Sequence, residues 1–327
     1  MAAQPAENEN SSPTASLYTE LPYPADGVVR TALARIIRAE IQRSAPHLLG
    51  RTPLRIVDVG CGTGEHTAGL ARIFPHAKVI GVDINTASLE FARHMAARTN
   101  LSVEFVRCDI TNNLAAELNA ISSGPFDIVS SVGVLHHLAD PRVGFAAIRQ
   151  IVSPDGWLFC YLYTHYGRRE DLAIKSLLSE TLPADASLGK RAKAIVDLRL
   201  ENVHTLWNGI KRIRNRIRFG PPLLPLEMAR VLLQRNRLVH VSDTYSNPCE
   251  HLYRFSEIQS LLAETQWDIV GLAKKAGLPT TPEEHTRRAA QLVLLRQMSP
   301  AALYDYFAFY YRANGFCFFA RPTSNCN

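Results

Sequence analysis

Residues 56–64 read Ile-Val-Asp-Val-Gly-Cys-Gly-Thr-Gly. An apolar strand runs straight into Asp58, Gly60, Gly62 and Gly64, and helix-forming residues follow from Glu65. Glycines at this alternation let the backbone turn sharply and leave no side chain between loop and ligand. A helix opening directly after the loop aims its free amides at whatever sits there. A strand–loop–helix unit of this kind points to an α/β layer fold and to a nucleotide-like cofactor. An ordinary glycine-rich turn with no ligand is the alternative that one short motif leaves open.

The spacing narrows the choice of nucleotide. A dinucleotide fingerprint needs G-x-G-x-x-G/A. Gly60 and Gly62 could start it, but Glu65 stands where a small residue must pack beside a pyrophosphate. That argues against a nicotinamide-dependent oxidoreductase. The pattern is D-x-G-x-G-x-G, and it resembles the first motif of the class I S-adenosylmethionine (SAM) methyltransferases. SAM carries no phosphate and has a cationic end, which carboxylates at Asp58 and Glu65 would suit.

Further acids follow in order. Lys78–Ile84 is an apolar strand closing on Asp83 and Ile84. Asp83 lies about twenty residues past the loop, the usual place for a carboxylate that takes ribose hydroxyls. Val103–Ile110 is a third strand, closing on Asp109 and Ile110. The resemblance implies that Asp109 binds the adenine amino group and that Ile110 flanks the ring. Pro125–Ser131 reads as the fourth strand, placing Ser131 at its end, and Trp157–Tyr163 as the fifth after the turn Ser153-Pro-Asp-Gly156. The resemblance covers about residues 54 to 165 well and the remainder loosely.

Strands alternating with helices imply a parallel sheet with right-handed crossovers and helices on both faces. The expected fold is α/β, a doubly wound, seven-stranded, mostly parallel sheet. It is Rossmann-like with an antiparallel last strand, an N-terminal helical arm and a helical cap insertion. The expected divisions are a disordered tail (1–15), the arm (16–52) and a SAM-binding core (53–167). The cap (168–238), the rest of the core with a short helical insertion (239–322) and a tail (323–327) follow. Strands six and seven are read at Trp267–Leu272 and Gly315–Arg321. The arm's apolar positions Val28, Val29, Leu33, Ile36, Ile37 and Ile41 have helical spacing. The arm resembles segments that pack over the cofactor pocket in related enzymes, and Tyr18 and Tyr23 are its candidate lid residues; packing aromatics are the alternative.

Ligands in such sheets bind beyond the carboxyl ends of the strands. His136 and His137 follow strand four, whose end, the resemblance implies, faces the reacting carbon. Histidine is the side chain best tuned as a base near neutrality. The string Leu135-His-His-Leu-Ala-Asp-Pro141 resembles small-molecule methyltransferases, including sugar and natural-product O-methyltransferases. It does not resemble the Asn-Pro-Pro-Tyr type motif of amino-group enzymes. Neighbouring side chains diverge, so one of the pair is expected to point inward and the other to pack. Tyr163 and His165 at the end of strand five, and His251 and Tyr253 in a polar, aromatic segment, are substrate-contact candidates. Methyl transfer is an in-line displacement, so alignment and water exclusion carry most of the burden.

The bulk properties bound the rest. The chain has 327 residues, 46% of them hydrophobic, which excludes general disorder. No apolar run is long enough to span a bilayer. The six cysteines form no C-x-x-C pair and read as reduced core thiols of a cytoplasmic protein. No metal site can be assembled. Residues 190–237 hold twelve Lys or Arg against Asp197, Glu201 and Glu227, a local balance of +9 within a net +6. Such a patch suits an anionic acceptor, a carrier or a partner surface; a solvated helix face is the alternative. The cap is expected across the carboxyl ends of the strands, with some of Arg168, Arg169, Lys211, Arg212 and Arg214 at the pocket entrance. The expected function is methyl transfer to a small or carrier-bound acceptor, at oxygen before nitrogen or carbon. A protein or RNA methyltransferase, and a SAM-binding non-transferase, remain as alternatives. Only Trp207 and Phe219 interleave with the basic residues as base-stacking aromatics, which argues against nucleic acid. A homodimer stays open.

Overall fold

A computed structural model describes residues 27–183, 186–200, 244–245, 247–273 and 278–324. The expected tail at 1–15, Tyr18 and Tyr23 of the arm, and Trp207, Lys211, Arg212, Arg214 and Phe219 of the insertion lie outside the described residues. The elements run α1 (Ala32–Ser44), β1 (Leu54–Val59), α2 (Glu65–Ile73), β2 (Ala77–Asp83), α3 (Thr86–Arg98) and β3 (Glu104–Arg107). Then come α4 (Leu114–Ile121), β4 (Phe126–Val132), α5 (Pro141–Ile151) and β5 (Val152–Tyr163). Helices α6 (Arg169–Thr181), α7 (Leu188–Asp197) and α8 (Phe255–Glu264) precede β6 (Trp267–Leu272). Helices α9 (Pro282–His285), α10 (Ala289–Arg296) and α11 (Pro300–Tyr311) precede β7 (Gly315–Pro322).

The seven strands form one sheet in the order β3-β2-β1-β4-β5-β7-β6. Pairs β1–β2, β2–β3, β1–β4 and β4–β5 are parallel, and β7 runs antiparallel to both β5 and β6. Strand order reverses between β1 and β4, the switch point where such sheets open a crevice beyond their carboxyl ends. The expected doubly wound sheet with an antiparallel last strand is what forms.

Both faces are covered, so the central strands read as nearly continuous apolar runs. On one face Val57, Val129, Leu158, Phe316 and Phe318 pack with Phe145 and Ile148 of α5 and Ile258 and Leu262 of α8. On the other, Ile56, Val79, Ile128, Trp157, Phe159 and Phe319 pack with Ile37 and Ile41 of α1 and Leu70 of α2. Each fully buried side chain of this size stabilises by roughly 1.5–3 kcal/mol.

Two boundaries differ from the sequence reading. The arm's helix starts at Ala32, and Val28 is exposed. The segment 27–31 instead crosses α2, with the Arg30 amide donating to the Glu65 carbonyl at 2.9 Å. Strand β5 begins at Val152, ahead of the expected turn. That turn survives as a bulge, with Phe126 opposite Val152 but Ile128 opposite Trp157, and Pro154 and Asp155 exposed. In the insertion, Leu178 and Ile195 are buried with Tyr245 in a small separate cluster, while Leu177 and Leu198 are exposed. No helix among the described residues is long and apolar enough to cross a membrane.

The crossing of 27–31 over α2 depends on Gly69. A Cβ there would lie 2.0 Å from the Arg30 carbonyl oxygen. Alanine is favoured over glycine inside a helix by roughly 1 kcal/mol, but the overpacking costs roughly 1–3 kcal/mol. Gly69→Ala should therefore lower the urea midpoint. A rise would show that the arm does not bear on the helix.

Candidate active site

The glycine loop closes the carboxyl end of β1. Gly60, Gly62 and Gly64 have φ of 77°, 52° and 79°, the left-handed region that glycine enters without penalty. Gly60 also needs its missing side chain, because a Cβ would sit 2.4 Å from the Val134 side chain. The amides of Gly60 and Cys61 both donate to the Val82 carbonyl, at 2.8 and 2.9 Å. Asp83 accepts from the amides of Gly62 (2.8 Å) and Asn85 (2.9 Å). Half-buried, it keeps acceptor capacity on its open side. Burial pushes its carboxyl up, with the Asn85 and Gly62 amides pulling the other way.

Other acids take different posts. Asp58 is buried and accepts from the Thr67 hydroxyl at 2.6 Å, bracing β1 against α2. Glu65 is buried too and accepts from Thr63 (2.6 Å) and from the Gly27 amide (3.1 Å), which fastens the arm to the loop. Asp109, at the end of β3, accepts from the amide and hydroxyl of Thr111 at 2.9 and 2.7 Å. Ile84 is partly exposed, and Ile110 is buried. Ser131 is buried and donates to the Val59 carbonyl at 3.1 Å, a tie between β4 and β1. Gly133 follows at φ 79°, and a Cβ there would meet no atom of the described residues within 4 Å. Among the described residues, nothing therefore fills the space beside the backbone after β4.

The two histidines sit in a short 3-10 turn, Leu135–His137, and both are buried. His136 is 0% exposed, and neither ring nitrogen has a hydrogen-bond partner among the described residues. Its ring lies 3.9 Å from Tyr163 and 4.2 Å from His137, centroid to centroid. Burial, then the His137 charge, holds it well below the usual imidazole range. The His137 Nδ1 lies 2.7 Å from the Cys249 carbonyl oxygen. A carbonyl only accepts, so Nδ1 carries the proton and Nε2 the lone pair. Burial pushes His137 down to about 4 despite that bond. Both rings are thus neutral near pH 7, and His137 is the better placed to act on a neighbour.

The segment 247–253 lines up beside this turn. The His251 amide donates to the His136 carbonyl (2.8 Å), and the Tyr253 amide donates to the Tyr163 carbonyl (3.0 Å). The His251 Nε2 lies 3.0 Å from the Leu138 carbonyl oxygen. His251 and Tyr253 stack at 6.4 Å. Of the sequence candidates, the structure therefore gathers His136, His137, Tyr163, His251 and Tyr253. His165 stands apart: it is exposed, 3.7 Å from Glu257 of α8.

Three residues here, Glu250, Lys175 and His66, escaped the sequence reading as site residues, and a fourth, Arg168, is placed differently. The Arg168 guanidinium, expected at an entrance, is buried 4.0 Å over the Tyr163 ring. It pairs with Glu250, which also pairs with Lys175. His66, one residue into α2, has Nε2 2.9 Å from the Ser130 hydroxyl at the end of β4, and burial lowers it. Its place directly behind the glycine loop was the available signal. Among the described residues no group of His, Cys, Asp and Glu could hold a metal, and Cys61, Cys108, Cys160, Cys249 and Cys317 are free thiols.

A family profile described as "Methyltransferase domain" matches residues 56–156, from β1 through the bulge of β5. Residues 56–156 form a class I SAM-dependent methyltransferase domain. Similar curated proteins include a ubiquinone biosynthesis O-methyltransferase of Cereibacter sphaeroides, 32% identical over 38% of this chain and 47% of that one. Another, of the same description, is from Bordetella avium, 35% identical over 36% of this chain and 45% of that one. The chain thus matches less than half the length of these relatives. Among solved structures, PKMT2 from Rickettsia typhi in complex with AdoHcy aligns with 94% of this chain and 54% of its own. The TM-score is 0.54 at 16% identity, a likeness of fold. The methyltransferase domain thus holds the glycine loop and both strand-end acids, while His251, Tyr253, Arg168, Lys175 and Glu250 come from beyond it.

A histidine held below its ordinary value binds its proton more readily in the unfolded chain. Its neutral state contributes stability that is complete above the usual 6.5 and is lost as pH falls towards the folded value of about 4. His137 resonances should therefore stay those of a neutral ring with Nδ1 protonated down to pH 5 or so. His137→Asn should flatten part of the acid-side loss of stability. A His137 midpoint near 6.5 by nuclear magnetic resonance would contradict the buried placement.

Proposed function

We propose that this protein transfers a methyl group from SAM to a hydroxyl oxygen of a small or carrier-bound acceptor. The loop of Gly60, Gly62 and Gly64 at the switch point, with Asp83 and Asp109 at the adjoining strand ends, carries the proposal. The residues suit the cofactor: Asp83 keeps acceptor capacity for ribose hydroxyls, Ile84 and Ile110 offer apolar flanks for adenine, and Asp109 can accept from its amino group. When bound, SAM supplies an activated methyl carbon. The chain's part is to align the acceptor and keep water out. Tyr163, His251 and Tyr253 form the acceptor wall in this reading. The Nε2 lone pair of His137 takes the hydroxyl proton, and the weak basicity of a buried ring makes alignment the larger contribution.

Oxygen is favoured by the Leu135–Pro141 string and by the O-methyltransferase descriptions of the similar curated proteins. The helices after β5 cap the acceptor side in this reading, supported by their attachment through Arg168 at the carboxyl end of β5.

Calorimetry should show SAM and its demethylated product binding; absence of both would end the proposal. Gly62→Arg should abolish binding, because a long side chain would fill the cofactor's place. Asp83→Asn should weaken it by roughly ten- to a hundredfold, the worth of hydrogen bonds to a charged group. Incubation with labelled SAM and simple catechols, amines and carboxylic acids would then place the label on oxygen if the reading holds.

A further inference from the structure

Glu250 lies outside the methyltransferase domain, yet it is the most enclosed acid of the segment that borders the histidines. Its side chain is 5% exposed and faces two cations, Arg168 at 6% and Lys175 at 18%. Arg168 ends the stretch leaving β5, and Lys175 is in α6. Asp171, also on α6, lies 3.8 Å from Arg168. The four charges cancel, so among the described residues this cluster presents no spare cation to an acceptor. Buried charges that balance so closely act as a fixed joint, because separating one leaves the others desolvated and uncompensated.

The joint reaches the histidines by two routes, one through the Cys249–Glu250 peptide and one through ring contacts. The Cys249 carbonyl that accepts from His137 Nδ1 belongs to the peptide plane shared with Glu250. That plane is fixed on its far side by the Glu250 ion pairs. On its near side the Cys249 amide donates to the Asn247 side chain at 3.2 Å, and the Cys249 thiol donates to the Leu138 carbonyl at 3.3 Å. By the second route, Arg168 lies over the Tyr163 ring, which packs against His136.

We infer that Glu250 is a positioning residue: paired with Arg168 and Lys175, it fixes the Cys249 carbonyl and thereby the tautomer and orientation of His137. This deepens the proposed methyl transfer and rests on that reading for its functional meaning. Loosening the joint lets the His137 ring rotate or exchange tautomers. It leaves the glycine loop, Asp83 and Asp109 untouched.

The test uses the full chain labelled with ¹⁵N-histidine, with SAM as the probe ligand. Wild type should show His137 as a single tautomer protonated at Nδ1. Glu250→Gln should give mixed tautomers at His137, while SAM affinity stays within about threefold, as expected for a site away from the cofactor. Glu250→Asp, which keeps the charge, should restore most of the single-tautomer signal. If catechol is methylated by wild type, kcat should fall roughly a hundredfold in Glu250→Gln with KM for SAM little changed, the cost of a displaced group. A folded Glu250→Gln chain that keeps the wild-type His137 tautomer would overturn the inference. So would failure of both Glu250 variants to fold while Lys175→Met folds with its His137 signal intact, since Glu250 would then serve stability alone. Absence of SAM binding in wild type would sink the methyltransferase reading and leave the tautomer result standing by itself.

Discussion

The loop after β1 is held by the strand beside it. Gly60 and Cys61 share the Val82 carbonyl as acceptor, and the Asp83 carboxylate takes the Gly62 amide. The acid that closes β2 is thereby locked to the glycine turn that closes β1. Parallel pairing in register, Asp58 beside Gly81 and Val59 beside Val82, brings the ends of the two strands together for these bonds. The backbone is left-handed at all three glycines, and a Cβ at Gly60 would drive into Val134. Sheet register, loop shape and the position of Asp83 are thus one constraint.

That constraint explains why so much of the domain was legible. Strands β1, β2, β4, β6 and β7 fall within a residue or two of their apolar runs, because a strand covered on both faces must be apolar along its length. The acids closing β2 and β3 are recognisable because they end those runs. Their division of labour was not legible. Asp58 and Glu65 sit in the motif as Asp83 does, but Thr67 and the Gly27 amide claim them, and those partners depend on how α2 and the arm pack. Ser131 went the same way: its strand-end position was readable, while its bond to the Val59 carbonyl needed the β4–β1 pairing.

The insertion illustrates the opposite case. Its helical character was visible, yet Leu177 and Leu198 are exposed where Leu178 and Ile195 are buried. Helical periodicity gives a face, but the surface that face meets is set by distant chain. The same holds for charge. Arg168 read as a cation for an entrance, and it is buried against Tyr163 with Glu250 as its counter-ion, a partner some eighty positions away. Position in the sequence says nothing about pairing of this range. Attraction of an anionic acceptor therefore has no support from Arg168 or Lys175, whose charges are matched by Glu250 and Asp171.

The adjacent histidines show how one peptide step separates two roles. Both rings are buried and neutral near pH 7, so charge does not distinguish them. Hydrogen bonding does. His137 has a carbonyl acceptor that selects one tautomer and leaves a lone pair on Nε2. His136 has aromatic neighbours on two sides and no partner for either nitrogen among the described residues. An unsatisfied buried nitrogen costs about 1–3 kcal/mol, and such costs concentrate at functional sites more than in ordinary cores. Tyr163 packs on His136 and is itself covered by Arg168, so His136 forms the floor on which the His137 turn rests. The backbone carbonyl of His136 completes the arrangement by accepting from His251, which ties the floor to the segment that fixes His137. Stacking holds the His136 ring in place at the cost of nitrogens unpartnered among the described residues, whereas a ring that must present a lone pair needs a polar partner to fix its tautomer.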